Sequence, residues 1–313
     1  MDQNTITNDS LNTINPNGKV KPTVKKKKKL SVYYAVVYVF LGIFSCICVF
    51  PLLYVLLLSF STEADWMNAT LLVIPRHFHF ENYKANLLVG SIPQAFLNSI
   101  FLVVVGTIFQ MTLTSIAGYC FTRKDTPGLK FIFIMFLIPM FVGGGLLPFY
   151  VVVRSTTGLN NLWALIIPFG FNGFYMLLLR NYFSAVPESI IESCRMDGAG
   201  DFRIFVQFIL PLSKAGLATI ALFFMVGTWN EWYWASMFIE KMELYPLALL
   251  VRQSLNPGEA SADRWKGTYD STKTYGEGLN AAMTVLALAP IMMIYPLLQK
   301  YFTQGVMVGS VKG

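Results

Sequence analysis

Long stretches without a charged side chain constrain the fold of this chain more than any other feature of its sequence. The first of them, residues 30–61, contains no Asp, Glu, Lys or Arg. A helix of about 20 apolar residues is enough to cross the hydrocarbon core of a membrane. Only 13% of the whole chain is charged, against roughly a quarter in soluble domains. Because a helix satisfies all of its own backbone groups in lipid, we predict an all-α integral membrane protein.

Six apolar segments predict six transmembrane helices. They lie at residues 30–61, 94–121, 131–153, 162–183, 212–238 and 279–301. The third contains Pro139, three consecutive glycines from Gly143 to Gly145, and Pro148. Irregular backbone at membrane depth is tolerated only beside protein or a water-filled cavity. This third span is therefore predicted to be a broken helix that borders such a region.

The basic residues near the start of the chain predict its orientation. Lys19, Lys21 and the run Lys25 to Lys29 come directly before the first apolar segment. Lysine and arginine are enriched on the cytoplasmic side of membrane proteins, so we expect residues 1–29 to form a disordered basic tail in the cytoplasm. This placement argues against nucleic acid as the partner of the lysines.

Six spans that start inside also end inside. We therefore expect a multi-pass protein of the cell membrane with both termini cytoplasmic. Residues 30–313 would form the membrane domain, residues 62–93 and 239–278 its outer loops, and residues 187–211 a cytoplasmic loop.

The segment 187–211 interrupts the apolar sequence with two short amphipathic patterns. Glu188, Glu192 and Arg195 recur at i, i+4 and i+7, which predicts one polar stripe on a helix. Asp197-Gly198 is a turn signal. The residues predicted to form the apolar face of a second helix are Phe202, Phe205, Val206 and Ile209.

This loop resembles the E-A-A-x-x-x-G loop of binding-protein-dependent ABC importer permeases. The match runs from Glu192 to Ala199 and continues to an Ile-Leu-Pro that ends at Pro211, with Ser193 and Cys194 in place of two alanines. The resemblance implies that the loop is a coupling helix docked in a cleft on an ATPase subunit. The implied ATPase-coupling residues are Glu192, Ser193, Cys194, Asp197, Gly198, Ala199, Leu210 and Pro211.

The similarity covers residues 96–313 and is to sugar-importer permeases of the maltose-transporter type. The chain end, residues 299–313, looks like the tail that reaches the ATPases in that family. A segment of the second outer loop resembles the part that contacts the binding protein, and its residues are Gln253, Leu255, Asn256 and Pro257. A long insertion at residues 258–278 departs from the family pattern.

The resemblance implies the partners and the division of labour. We expect two ATPase subunits, a second and different permease chain, a sugar-binding protein outside the membrane, and lipid. The chain has no G-x-x-x-x-G-K-[ST] phosphate loop, so ATP hydrolysis is expected on a separate subunit and the chain is not predicted to be an enzyme. No cofactor is expected, and His77 and His79 alone do not predict a metal site.

Polar residues within the spans are candidates for a substrate path. The segment Trp229 to Trp234 holds aromatic rings around Glu231. Two interpretations stay open here: an aromatic belt at the membrane interface, or rings and polar groups that line a sugar pathway. The candidates are Asn172, Tyr175, Trp229, Asn230, Glu231 and Trp232, with Gln110 as a weaker one.

Two alternatives to a sugar importer permease stay open, a permease for a non-sugar substrate and a stand-alone secondary transporter. An ABC importer for a non-sugar substrate shares every feature except the sugar. A stand-alone secondary transporter normally requires several charges within its spans, and Glu231 is the one good candidate in this sequence. A membrane-embedded enzyme requires His, Asp or Cys clustered at the membrane face. The chain has two histidines, both in the first outer loop.

Overall fold

The computed structural model describes residues 32–69, 74–88, 91–123, 126–255 and 275–310. The α-helices in chain order are α1 (Val32–Ser59), α2 (Glu63–Met67), α3 (Glu81–Leu88), α4 (Ile92–Cys120), α5 (Leu129–Phe141), α6 (Leu146–Thr156), α7 (Gly173–Ser184), α8 (Glu188–Met196), α9 (Asp201–Ile204), α10 (Leu210–Leu212), α11 (Lys214–Trp229), α12 (Tyr233–Phe238), α13 (Leu247–Ser254) and α14 (Gly276–Ser310). Two 3₁₀ turns, Leu162–Leu165 and Met242–Leu244, and one π-helical turn, Phe205–Ile209, complete the regular structure of these residues. The predicted tail 1–29 lies outside them.

Three of the described helices are long and apolar enough to cross a membrane. They are α1, α4 and the first part of α14, and two bent helix pairs raise the number to as many as five. The all-helical membrane architecture is therefore confirmed for the described part of the chain. The number of six spans stays a prediction.

The third predicted span is broken, as its glycines and prolines indicated. Helix α5 ends at Phe141, α6 begins at Leu146, and the two axes differ in direction by 118°. Gly145 has a φ of 82°, a backbone conformation that favours glycine. The prediction of a broken helix is confirmed, and the bend is sharp enough for the pair to be a re-entrant segment.

The fourth predicted span, residues 162–183, is not one helix. Its first part is the 3₁₀ turn Leu162–Leu165, and α7 starts only at Gly173. Pro168 lacks the N–H that a continuing helix would use. The Asn172 side chain then caps α7 by accepting a hydrogen bond from the Tyr175 N–H at 3.1 Å. The expectation of a continuous span is therefore corrected: an irregular segment precedes a short helix.

The fifth predicted span is bent at one end and interrupted near the other. The stretch Asp201–Leu212 meets α11 at an angle of 83°. Pro211, which has no backbone N–H to donate, lies two residues before the break at Ser213. Helix α11 ends at Trp229, and a separate helix, α12, begins at Tyr233.

Helix α4 is the central element of the fold because it packs against α7, α11 and α13. Its buried polar side chains bond to backbone groups of other segments. Asn98 donates to the carbonyls of Glu243 and Tyr245 at 2.8 and 3.1 Å. The Ser99 hydroxyl accepts from the Leu247 N–H at 2.8 Å. These bonds hold the segment before α13 against the start of α4.

Two apolar clusters lie at opposite ends of α4. The first surrounds the N-terminal half of α4, including Ile92 and Leu102, and contains Phe238 and Leu247. The second surrounds Tyr119, near the C-terminal end of α4, and contains core residues from α7, α8, α9, the π-helical turn and α11. Residues 187–211 are therefore anchored at one end of α4, and the segment 239–255 at the other.

We predict that a methyl group at Gly216 weakens the packing of α11 on α7. An added Cβ at this buried glycine would overlap the ring of Tyr182. Overpacking of a core costs about 1–3 kcal/mol, which corresponds to a thermal midpoint roughly 2–10 °C lower. The measurement is thermal unfolding of Gly216→Ala in detergent. Gly42→Ala is the matched control, because a Cβ at Gly42 would meet nothing within 4 Å. Equal midpoints for the two variants would contradict the packing described here.

Candidate functional site

Helix α8 has one polar and one buried face, as the spacing of its charges indicated. Glu188, Glu192 and Arg195 are exposed, whereas Cys194 is buried in the cluster around Tyr119. Ser193 is exposed, and its hydroxyl donates to the Ser189 carbonyl at 2.8 Å. The small side chain at position 194 lets α8 lie close to the rest of the fold.

A Schellman motif closes α8. Gly198 has a φ of 77°, its N–H donates to the Arg195 carbonyl at 3.0 Å, and the Ala199 N–H donates to the Cys194 carbonyl at 3.0 Å. A left-handed glycine one residue after the helix cap is characteristic of this motif. Ala199 also packs on the cluster that buries Cys194. The predicted Asp197-Gly198 turn is therefore present and has a defined geometry.

The apolar face predicted for the second helix is wrong at two positions. Phe205 and Ile209 are buried, but Phe202 is 78% exposed and Val206 is 42% exposed. The π-helical turn over Phe205–Ile209 adds one residue per turn, so a spacing of three and four no longer keeps residues on one face. Periodicity analysis that assumes an α-helix cannot detect this change.

Asp201, at the start of α9, ties the loop to the end of α4. Its carboxylate lies 3.1 Å from the Arg123 guanidinium and 3.4 Å from that of Arg195. The Tyr119 hydroxyl donates to the Asp201 carbonyl at 3.3 Å, and the Arg123 guanidinium lies over the Tyr119 ring. The sequence did not single out Asp201 or Arg123, because their pairing depends on the tertiary fold.

The tip of the helix–turn–helix exposes large apolar side chains among charged ones. Met196 is 88% exposed and Phe202 is 78% exposed, and Glu192, Asp197 and Gly198 are exposed between or beside them. Apolar side chains rimmed by charges are typical of protein-binding surfaces. We call Glu188–Phe202 the docking tip.

A separate cavity of about 250 Å³ lies among α4, the segment before α7, α7 itself and α11. Three of the sequence-predicted path candidates, Asn172, Tyr175 and Glu231, line it together with Gln110. Aromatic contacts shape its walls: the Tyr175 ring stacks on Phe223 at 5.7 Å and meets the edge of Phe224 at 4.8 Å.

Gln110 is a buried amide in the wall of this cavity. Its side-chain N–H donates to the Phe169 carbonyl at 3.2 Å, which satisfies one backbone group of the irregular segment before α7. Its Oε1 has no hydrogen-bond partner among the described residues, although the residue is only 6% exposed. Leaving a buried acceptor unpaired costs about 1–3 kcal/mol.

The remaining path candidates lie outside the cavity lining. The Trp229 indole N–H donates to the Ala287 carbonyl of α14 at 3.2 Å, and its ring packs edge to face with Phe96. Asn230 is exposed and bonds back to the Val226 carbonyl at 2.9 Å. Trp232 carries the Arg252 guanidinium over its ring at 4.9 Å. Trp229 and Trp232 therefore contact other helices, and Asn230 bonds to the last turn of α11.

Glu231 has two neighbours of different kinds. One carboxylate oxygen accepts from the Trp234 N–H at 2.9 Å and thereby caps α12. The residue also lines the cavity from the side of α11. Glu231 lies in the short break between α11 and α12.

The residues predicted to contact a binding protein are only partly described. Gln253, near the end of α13, donates to the Tyr245 hydroxyl at 3.2 Å, and Leu255 is 53% exposed. Asn256 and Pro257 lie outside the described residues, as does most of the insertion at 258–278.

Comparison with known proteins assigns the family. Residues 110–308, more than half of the chain, match the family described as binding-protein-dependent transport system inner membrane component. The chain belongs to this family. The family predicted from the E-S-C-x-x-x-G loop is therefore confirmed, and the protein is the membrane permease component of an ABC transport system.

Individual relatives are similar over nearly the whole chain. The polygalacturonan/rhamnogalacturonan transport system permease protein YtcP of Bacillus subtilis (strain 168) is 32% identical over 91% of this chain and 100% of its own length. The diacetylchitobiose uptake system permease protein NgcG of Streptomyces coelicolor (strain ATCC BAA-471 / A3(2) / M145) is 28% identical over 89% of each chain. In a bacterial ABC transporter involved in the import of the acidic polysaccharide alginate, one chain has a TM-score of 0.80 and 28% identity, covering 88% of this permease and 99% of that chain.

We predict that Asp201→Asn loosens the attachment of the loop to α4. Asp201 is 65% exposed at its side chain, and exposed ion pairs contribute at most about 1 kcal/mol. Amide hydrogen exchange in residues 201–212 should therefore become roughly two- to fivefold faster. Glu188→Gln removes an exposed acid of the same loop outside this ion-pair cluster and serves as the control. Unchanged exchange in Asp201→Asn would show that the ion pairs do not hold the loop.

Proposed function

We propose that this permease forms part of an ATP-driven importer that moves a sugar or oligosaccharide into the cytoplasm. The names of its relatives support a saccharide, since they refer to the transport of polygalacturonan/rhamnogalacturonan and diacetylchitobiose. The docking tip supports this mechanism most directly. Its helix α8 ends in a Schellman motif, and it exposes the apolar side chains of Met196 and Phe202. ATP hydrolysis takes place on a separate subunit.

The docking tip faces the cytoplasm and fits a cleft on an ATPase subunit. Both termini of the chain are cytoplasmic in this orientation, in agreement with the lysines before the first span. Glu192, Asp197 and Gly198 contact the ATPase directly, whereas Cys194 and Ala199 hold the tip to the cluster around Tyr119. Leu210 and Pro211 lie where the loop leaves for α11, at the 83° bend.

The complete importer contains two ATPase subunits and a second, different permease chain. A sugar-binding protein outside the membrane delivers the saccharide. The exposed Leu255 and the neighbouring Gln253, at the end of α13, face this protein. Closure of the ATPases on ATP moves the docking tip, and α4 and α11 carry the movement into the membrane.

We predict that Gly198→Leu abolishes coupled transport while the chain still inserts into the membrane. A Cβ at Gly198 would meet nothing within 4 Å in this chain, so the damage would come from the positive φ and from the approach of the ATPase. Uptake should fall at least about tenfold, as expected when at least about 1.4 kcal/mol of contact free energy is lost. The measurement is ATP-dependent uptake by proteoliposomes of the assembled transporter.

Two variants separate backbone conformation from bulk. Gly200→Leu is the matched control for size, because Gly200 also has open space around it but a φ of −70°. Gly198→Asn keeps a residue that tolerates positive φ and should retain part of the uptake. Wild-type uptake in Gly198→Leu would refute the docking role of the turn.

The composition of the complex provides the first test of the partners. We expect the tagged chain, purified in mild detergent, to bring with it an ATPase and a second permease, and a saccharide-binding protein after cross-linking. Tags at the N-terminus and at the C-terminus should be compared, since residues 299–313 are expected to touch the ATPases. Recovery of the chain alone with both tags would contradict the proposed assembly and favour a stand-alone transporter.

A further inference from the structure

We propose that the cavity among α4, α7 and α11 is a saccharide subsite that this permease itself contributes. The inference rests on the proposed import function and adds the place where this chain touches its substrate. Family resemblance leaves open which of two permease chains contacts the sugar, so the structure of the cavity carries the assignment.

The chemistry of Gln110 requires a hydrogen-bond donor in the cavity. Its Oε1 is an acceptor with no hydrogen-bond partner among the described residues. The residue is only 6% exposed, so solvent does not readily reach this oxygen. Its amide N–H donates to the Phe169 carbonyl. Rotating the amide group to give Oε1 another partner would break that hydrogen bond. A substrate hydroxyl supplies the missing donor.

Other polar groups around the cavity complete the match to a sugar. Asn172 uses its side-chain oxygen to cap α7, which leaves its amide N–H₂ as a donor. Glu231 uses one carboxylate oxygen to cap α12, which leaves the second as an acceptor. Thr228 lines the same cavity. Donors and acceptors therefore occur together, as the hydroxyl groups of a saccharide require.

Aromatic rings provide the apolar part of the site. Tyr175 is held by Phe223 and Phe224 and lines the cavity together with them and Phe169. A sugar ring has apolar C–H faces that stack on aromatic rings while its hydroxyls bond to polar groups. The volume of about 250 Å³ provides room for a single sugar unit.

Gly227 controls the size of this subsite. It lines the cavity from α11, and a Cβ added there would meet nothing within 4 Å. A larger side chain at this exposed position would therefore fit without first displacing a neighbour. Gly227 leaves room for the substrate, and replacing it with leucine narrows the site.

The test uses the whole transporter, with both permeases, the ATPases and the binding protein, in proteoliposomes. The probes are radiolabelled maltotriose, diacetylchitobiose and trigalacturonate, and variants are compared with the probe that the wild type takes up fastest. We expect Gln110→Met to lower uptake roughly two- to tenfold, the effect of about one hydrogen bond, and Gly227→Leu to lower uptake by narrowing the site, while ATP hydrolysis stimulated by the binding protein stays unchanged. Controls are Gln94→Met, on the same helix outside the cavity, and Gly42→Leu.

A second measurement detects occupancy directly and does not depend on transport. N-ethylmaleimide labelling of Gly227→Cys, measured at that peptide by mass spectrometry, should slow when the saccharide is present. Labelling of Gly42→Cys should not change. The labelling rate of each cysteine variant is compared with and without saccharide. A difference in stability between variants therefore does not affect the result.

The outcomes separate the subsite from the import function. Normal uptake in both cavity variants, or labelling of Gly227→Cys that no saccharide slows, would overturn the subsite and leave a cavity that holds only water. Failure of the wild type to take up any of the three probes with ATP would contradict the proposed function instead. Labelling would then decide on the subsite alone.

Discussion

The fold depends on hydrogen bonds from polar side chains of α4 to the backbone of segments that are not continuous helices. Asn98 donates hydrogen bonds to the carbonyls of Glu243 and Tyr245. Gln110 donates to the carbonyl of Phe169, and Tyr119 donates to that of Asp201. Of these carbonyls, that of Phe169 lies within a predicted span, where hydrocarbon offers no water and a protein donor is required. One regular helix thereby makes three irregular or interrupted segments possible, and both candidate sites are built on those segments.

The docking tip and the cavity are joined by the same helix. Tyr119 and Gln110 are nine residues apart on α4, a separation of about 14 Å at the rise of an α-helix. Helix α11 also reaches both places, from the bend at Ser213 to Gly227 in the cavity wall. Two packed helices, α4 and α11, therefore connect the cluster that anchors the docking tip with the cavity.

Local sequence signals predicted the elements that a few neighbouring residues control. The E-S-C-x-x-x-G pattern led to the family, the glycines at 143–145 predicted the break between α5 and α6, and Asp197-Gly198 predicted a turn that the structure closes with a Schellman motif. The continuous helix predicted at 162–183 was wrong because hydropathy reports how apolar a segment is, and not whether it is helical throughout. The position of Val206 failed because the π-helical turn that contains it changes the period on which the prediction relied.

The sequence by itself determined that the chain is a helical membrane permease, because apolar length, charge placement and the loop motif are properties of short segments. Only the tertiary structure decided which polar side chains share a cavity. Gln110, Asn172 and Glu231 come from three different segments, and the packing of α4 on α7 and α11 brings them to one cavity. It also assigned Trp229, which looked equivalent to its neighbours in sequence, to a hydrogen bond with α14. Contacts between distant segments depend on how helices pack, and no pattern within a single segment records that.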